Sequence, residues 1–142
     1  MTQIFQFGTY FGLLFAFMLA ADYIWLKFIV GDFFLQELSL IARIKDKQFD
    51  LLILPALGSY LLMCLSVVIF IRPHYHTYTS ALMFGAMLGF FLYGVFDLTN
   101  MALLKNYSWK FVAVDMAWGT FLISISSGFS LLLSKWLCLE VS

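Results

Sequence analysis

Four long runs of apolar residues dominate the chain and alternate with short polar connections. They occupy residues 8–30, 51–71, 81–104 and 111–133. A bilayer core about 30 Å thick is crossed by roughly 20 residues of α-helix, so each run is long enough to span it. The pattern predicts an all-α polytopic membrane protein, a bundle of four transmembrane helices in which residues 1–142 form a single membrane domain.

The longest polar connection, residues 33–50, has a helical pattern of its own. Apolar side chains recur there at helical spacing, while charged side chains fall elsewhere on the helical wheel. The apolar positions are Phe34, Leu38, Ile41 and Ala42, and the charged positions are Glu37, Arg43 and Lys47. We expect a short amphipathic helix lying on the membrane surface between the first two spans, with an irregular loop as the alternative.

The composition is that of a membrane protein. The chain is 63% hydrophobic and 11% charged, whereas soluble domains have roughly 25% charged residues. Its formal net charge is zero and it has no basic run, so we expect the lipid bilayer and not nucleic acid as its partner.

No Lys or Arg precedes Lys27. The first apolar run is therefore interpreted as a transmembrane helix and not as a cleaved signal peptide, which needs a positive start.

Lysine and arginine are unevenly divided between the two ends of the predicted bundle. The loop after the first span and the loop after the third share one end and contain Arg43, Lys45, Lys47, Lys105 and Lys110. The opposite end has only Arg72 and Lys135. Since basic loops stay in the cytoplasm, we expect those two loops to be cytoplasmic and both termini to be non-cytoplasmic. The expected location is a bacterial inner or cytoplasmic membrane.

Three of the predicted spans contain a carboxylate at a similar depth. Asp22 lies eight residues before Val30, Asp97 lies seven before Leu104, and Asp115 lies shortly after the start of the fourth run. At about 1.5 Å per residue, all three would lie roughly 6–12 Å inside the cytoplasmic boundary. An ionised group in hydrocarbon is costly, so acids at this depth usually face a bundle interior or a wet cavity and mark a functional site.

Each acid has a polar or aromatic companion three residues later, on the same helix face. The companions are Trp25, Asn100 and Trp118, and Tyr93 joins the face of Asp97 from one turn earlier. We therefore predict one polar pocket that binds a substrate or an ion. It consists of Asp22, Trp25, Tyr93, Asp97, Thr99, Asn100, Asp115 and Trp118.

The negative charge of the three acids in this predicted pocket must be offset by a positive group or a proton. No Lys or Arg lies in the spans at that depth, and neighbouring carboxylates in a low dielectric cannot all stay ionised cheaply. Either some of them hold a proton or a bound cation offsets them, which indicates a proton relay or the coordination of a cation or cationic solute. The alternative is that hydrogen bonds satisfy the acids, which then only fix the helix register. The sequence identifies neither a metal nor a cofactor.

Small residues form a stripe in the third span. Ala81, Gly85 and Gly89 recur every four residues, which allows another helix to approach closely. The stripe indicates helix packing, and a homodimer through the Gly85/Gly89 face is one form that this packing could take.

Motifs in three spans make the chain similar to a known family. They are Asp22-x-x-Trp25-Leu26, then Gly85-x-x-x-Gly89 with Tyr93-Gly94-x-x-Asp97-x-Thr99-Asn100, and Asp115-x-x-Trp118-Gly119. Together they resemble a family of small predicted integral membrane proteins of unknown function over nearly the whole chain. The resemblance implies four membrane helices and singles out the same polar residues, but it implies no activity. Members often have an apolar-Phe-Tyr step in the second span, where this chain has Gly58-Ser59-Tyr60.

Three functions fit these features. The favoured one is a membrane protein that binds or moves a small solute, cation or proton through the polar pocket, with an assembly of several copies if a full pathway is needed. The second is a membrane-embedded enzyme of lipid or isoprenoid modification with Asp22, Asp97 and Asp115 as base or metal ligands, although no phosphate loop or Ser-His-Asp set is present. The third is a non-catalytic assembly subunit that packs through Gly85 and Gly89.

Overall fold

The computed structural model describes residues 2–139. Its helices are α1 (Thr2–Ile24), α2 (Gly31–Leu38), α3 (Ile53–Ser66), α4 (Tyr78–Leu103) and α5 (Trp109–Trp136). Four helical segments are long and apolar enough to cross a membrane: Gln3–Ile29, Ile53–His74, Tyr78–Leu103 and Trp109–Trp136. The predicted all-α membrane bundle is confirmed, and the spans are a few residues longer than most of the apolar runs because polar residues extend the helices at their ends.

Two of the spans change their helical winding near one end. α1 continues as a π-helical turn, Trp25–Ile29. α3 continues as a π-helical turn, Val67–Ile71, and a 3₁₀ turn, Arg72–His74. A π-turn inserts an extra residue and rotates the side chains beyond it, and such turns are frequent at functional sites. The first of these two turns begins at Trp25, three residues after Asp22.

The connection between the first two spans is only partly helical. α2 ends at Leu38, so Phe34 and Leu38 lie on this short helix, with Phe34 buried. Ile41 and Ala42 lie beyond its end, although the helical pattern included them. The expected amphipathic helix is therefore present but shorter, because the chain leaves the helix before the apolar pattern stops.

A small hairpin replaces the second half of that predicted helix. β1 (Ile44–Lys45) pairs antiparallel with β2 (Gln48–Phe49). The two residues between them, Asp46 and Lys47, both have positive φ, as a type I′ hairpin turn requires. The hairpin was not predicted because such turns are usually signalled by Asn-Gly or Asp-Gly, and this chain has neither here.

The small-residue stripe packs within the chain. α4 and α5 are joined by a short turn and are the most closely packed pair of helices among the described residues. A Cβ added to Gly85 would overlap Ser127, and one added to Gly89 would overlap the backbone of Gly119. α5 covers the Gly85/Gly89 face, and the predicted homodimer through this face is not shown. A partner that packed on this stripe would have to take the place of α5.

The other helices leave a space beside this pair. α1 packs against both α5 and α3, while α3 leans on α1 and approaches α4 closely only near its π-turn, Val67–Ile71. At the end of the bundle where α2 lies, α3 does not pack closely on α4 and α5, which leaves a space between the helices. The three acidic residues lie at this end.

Candidate functional site

Asp22 connects three helices through hydrogen bonds. The Tyr60 hydroxyl on α3 donates to Asp22 Oδ2, and the indole N–H of Trp118 on α5 donates to Asp22 Oδ1 at 2.7 Å. The carboxyl is only 9% exposed. Both oxygens of Asp22 therefore have a donor, and these hydrogen bonds join α1 to α3 and α5.

Two tryptophans form a wall beside Asp22. The rings of Trp25 and Trp118 are parallel to within 1°, with their centroids 4.3 Å apart. The indole nitrogen of Trp25 is buried and has no hydrogen-bond partner among the described residues. Trp25 is the first residue of the π-helical turn that follows α1, and its ring stacks on Trp118 of α5.

Asp97 is fully buried, with 0% of its surface exposed. The Tyr107 hydroxyl donates to Asp97 Oδ1 at 2.7 Å, and Asn100 lies within hydrogen-bonding range of the same hydroxyl. Burial, together with the Asp97 carboxylate, raises the pKa of Tyr107 above its ordinary value, so the phenol stays a neutral donor. Asp97 Oδ2 receives no donor from the part of the chain that the structure describes.

Asp115 lies beside Asp97 on the neighbouring helix. The Asp97 carboxyl is close enough to act on Asp115 electrostatically, and Asp22 is a third acid that does so. No Lys or Arg of the described residues forms an ion pair with any of the three acids. Asp115 therefore has the least compensated carboxyl of the cluster.

A cavity of about 290 Å³ lies between the helices at this point. We call it the acid cavity, and its lining includes Asp22, Trp25, Tyr60, Tyr93, Asp115 and Trp118. Neither Lys nor Arg lines it. The described residues contain no group of three His, Cys, Asp or Glu side chains arranged to hold a metal ion.

α2 and the hairpin cover one side of the acid cavity. Phe34 and Leu38 from α2 and Phe49 from β2 line it. α2 is held in place by Glu37, which accepts a hydrogen bond from the Ser108 hydroxyl. Ser108 also caps α5, because its Oγ accepts the Phe111 N–H at 3.1 Å. Ser108 thus caps the N-terminus of α5 and also holds α2 over the acid cavity.

Tyr93 forms the opposite wall. Its ring lies against Gly119 of α5, where an added Cβ would overlap the ring atoms. Its hydroxyl donates to the sulfur of Met63 on α3 at 3.6 Å. Gly119 is therefore required for a close approach, and the Tyr93–Met63 contact bridges α4 and α3 where their backbones diverge.

The structure brings most of the predicted pocket together, with one exception. Asp22, Trp25, Tyr93, Asp115 and Trp118 line the acid cavity. Asp97 lies behind Asp115, and Asn100 lies beside Tyr107.

Thr99 does not belong to this group. It is exposed and lines a separate groove with Leu98 and Ala102. Residues two apart on a helix do not share a face, so Thr99 points away when Asp97 points inward.

Two tyrosines of the site were not predicted. Tyr60 lies in the second span at the step that the family resemblance singled out, so the sequence held a signal for it. Tyr107 lies in the short turn between α4 and α5 and folds back onto Asp97. Only the requirement that a buried acid find O–H or N–H donors could have suggested a partner of this kind.

The opposite end of the bundle holds a second polar group, the hydroxyl cluster, formed by Tyr10, Tyr75, Ser130 and Ser134. All four side chains are at most 1% exposed. Ser130 Oγ is 2.5 Å from the Tyr10 hydroxyl and 3.1 Å from the Tyr75 hydroxyl, and Tyr75 also reaches Ser134 at 3.1 Å. This cluster contains only neutral groups, and each of them is hydrogen-bonded.

Comparison with protein families identifies a match. The family described as Predicted membrane protein (DUF2177) matches residues 7–132. No curated protein and no solved structure matches the chain. The family description identifies a membrane protein and attaches no activity, so the function has to be inferred from the site.

Proposed function

The chain belongs to this family of predicted membrane proteins, and from that premise we propose that it binds a small cationic solute in the acid cavity, with Asp115 as the principal anionic contact. Binding or moving such a solute across the membrane is the function that the geometry supports best. The proposal rests on Asp115, because this residue lines the cavity and two other acids, Asp97 and Asp22, act on its carboxyl group.

The charge balance of the cavity favours a cation. A buried negative group without a partner is costly, so a cationic occupant gains both the attraction and the relief of that cost. Asp22 already has two donors, whereas Asp97 Oδ2, next to Asp115, lacks a donor among the described residues. An ammonium group, which carries several N–H donors, fits this need.

The aromatic lining supports an organic ammonium over a bare metal ion. The indole rings of Trp25 and Trp118 and the phenol rings of Tyr60 and Tyr93 surround the cavity. Aromatic faces attract ammonium groups, and carboxylates combined with aromatic walls are a known solution for them. The described acids are not arranged as a set of three metal ligands, which points in the same direction.

The negative charge of the acids must also be offset when no ligand is bound, and a proton can offset it. Two carboxyl groups in contact are held together when one proton is shared between them. We propose that Asp97 and Asp115, which act on each other electrostatically, form such a pair in the empty site. Binding of an ammonium head group then displaces this proton, so cation binding and proton release are coupled.

The decisive experiment measures the binding of radiolabelled methylammonium to the purified protein in lipid nanodiscs, with a pH-indicator dye to detect proton release. We expect saturable binding, release of protons on binding, and loss of both in Asp115→Asn. Asp32→Asn is the matched control, since Asp32 is an exposed acid at the start of α2 and the same change of charge there leaves binding intact. Saturable binding that survives Asp115→Asn would refute the assignment.

The placement of the site relative to the cell follows from the basic loops. We place the acid cavity at the cytoplasmic side of a bacterial inner membrane, with α2 and the hairpin at the cytoplasmic surface. Labelling of a cysteine introduced at Lys45 by a membrane-impermeant maleimide tests this, in a chain whose native exposed Cys138 is replaced by serine. The label should reach position 45 only after the cells are opened.

A further inference from the structure

A second cavity reaches Asp115 from another direction. It has a volume of about 420 Å³ and lies between α3 and α4. We call it the lateral groove, and its outer part is lined by Leu62 and Ser66 on α3 and by Leu92 and Phe96 on α4. Its inner end shares Ser59, Met63, Tyr93 and Asp115 with the acid cavity. The two cavities therefore meet at the same carboxyl.

The lateral groove opens towards the acyl chains of the bilayer. α3 leans on α1 and diverges from α4 along this stretch. Leu62 is 68% exposed and Phe96 is 58% exposed, and both lie within membrane-spanning segments. An exposed side chain on a spanning helix faces lipid. A molecule dissolved in the membrane can thus enter the groove sideways, without first crossing the polar end of the bundle.

The walls of the groove suit a hydrocarbon chain. They are apolar apart from two serines, and both of these are satisfied within their own helix: Ser59 Oγ donates to the Ala56 carbonyl and Ser66 Oγ to the Met63 carbonyl, each at 2.7 Å. No Lys or Arg lines the groove. The groove therefore offers nothing to a polar chain until its inner end.

The inner end has the opposite chemistry. The Asp115 carboxyl faces both cavities, and behind it lies Asp97, whose side chain is 0% exposed and whose Oδ2 has no donor among the described residues. Tyr93 and Met63 meet at this point. Methionine is flexible and its contact with the phenol is weak, so this pair can separate without breaking a strong interaction.

We propose that the natural ligand is a membrane-dissolved amphiphile with an alkylammonium structure, which enters through the lateral groove and places its cationic head at Asp115 and its alkyl chain between α3 and α4. This rests on the proposed function, since it specifies the substrate class of the same site. The apolar groove supplies affinity for the chain, and the unbalanced acid pair supplies selectivity for the charge.

The test is a competition experiment in nanodiscs with radiolabelled methylammonium as the reporter. The competitors are dodecylammonium, which has both the charge and the chain, and dodecanol, which has the chain alone. With the wild-type protein, dodecylammonium should displace methylammonium at a concentration at least tenfold below that of unlabelled methylammonium. Dodecanol should not displace it.

Variants that fill the groove separate the two cavities. Ser66→Trp should weaken dodecylammonium at least tenfold and leave methylammonium binding within about twofold of wild type, because the small cation reaches Asp115 through the acid cavity. Leu62→Trp should block the same groove and replaces Ser66→Trp in the experiment if that variant does not fold, because Leu62 is highly exposed. Ala102→Trp, in the separate groove that contains Thr99, is the matched control and should change neither affinity.

The outcomes distinguish the two proposals. If methylammonium does not bind to the wild-type protein, the proposed function fails, and the inference about the ligand fails with it. If methylammonium binds but dodecylammonium competes no better, or if Ser66→Trp and Leu62→Trp leave dodecylammonium unchanged, lateral entry is wrong while cation binding stands. Displacement by dodecanol would show that the charge is not recognised and would overturn the inference as well.

Discussion

The acid cavity and the hydroxyl cluster are both polar groups inside an apolar bundle, but they are built on opposite principles. The hydroxyl cluster contains two tyrosines and two serines, which are neutral and bonded to one another. Its cost of burial is offset within the cluster. The acid cavity brings three carboxyl groups together without a basic residue, and at least one buried oxygen there lacks a donor among the described residues.

The difference shows which of the two can serve as a site. A satisfied neutral network holds helices together and has nothing left to offer a ligand. An incompletely satisfied acidic group beside an open cavity leaves free energy that a ligand can recover. Variants in the hydroxyl cluster should therefore affect stability, and variants in the acid cavity should affect binding.

The largest effect should come from Asp115→Asn. Loss of the charge should weaken methylammonium binding about 30-fold or more, which corresponds to about 2 kcal/mol. The amide also removes a buried negative charge, so thermal stability in detergent should be unchanged or higher. Radioligand binding and a thermal unfolding curve on the same preparation check both statements. A large fall in stability would instead show that Asp115 has a structural role.

Gly119→Ala should affect both properties. The added methyl group overlaps the Tyr93 ring, so the ring must leave its place on α5. Overpacking of this kind costs about 1–3 kcal/mol of stability, and methylammonium binding should fall because a wall of the cavity moves. Gly58→Ala is a suitable control, since a Cβ there meets no atom within 4 Å. Equal behaviour of the two variants would contradict the role given to Gly119.

Tyr75→Phe tests the hydroxyl cluster alone. The change removes two hydrogen bonds and leaves Ser134 without its tyrosine partner, so unfolding should become easier by about 1–3 kcal/mol. Methylammonium binding should stay unchanged, because the cluster lies at the other end of the bundle. Weaker binding in a folded Tyr75→Phe protein would show that the two ends are coupled.

Tyr60→Phe makes the same chemical change at the acidic end and should have the smallest effect. It removes one of the two donors to Asp22 and leaves the Trp118 bond in place, so stability should fall by about 1 kcal/mol. Since Asp22 then has an oxygen free, affinity for methylammonium should rise, by about threefold at most. A loss of affinity instead would assign the Tyr60 hydroxyl to the ligand.

Much of the architecture could be predicted from the sequence because membrane burial acts on each helix separately. A run of about 20 apolar residues crosses a bilayer whatever its neighbours are, so the four spans and the short connection between the last two were predictable. The depth of Asp22, Asp97 and Asp115 followed from counting residues along each helix. The spacing of three residues also placed Asn100 on the inward face with Asp97.

The tertiary structure decided which faces meet. Counting along a helix gives the depth of a residue but not the rotation of its helix about the axis, and neighbouring helices set this rotation. The structure therefore places Thr99 outside the acid cavity, places Tyr60 at Asp22 and Tyr107 at Asp97, and turns Gly85 and Gly89 towards α5. The divergence of α3 from α4, which opens the lateral groove, depends on packing between distant parts of the chain and has no local signal.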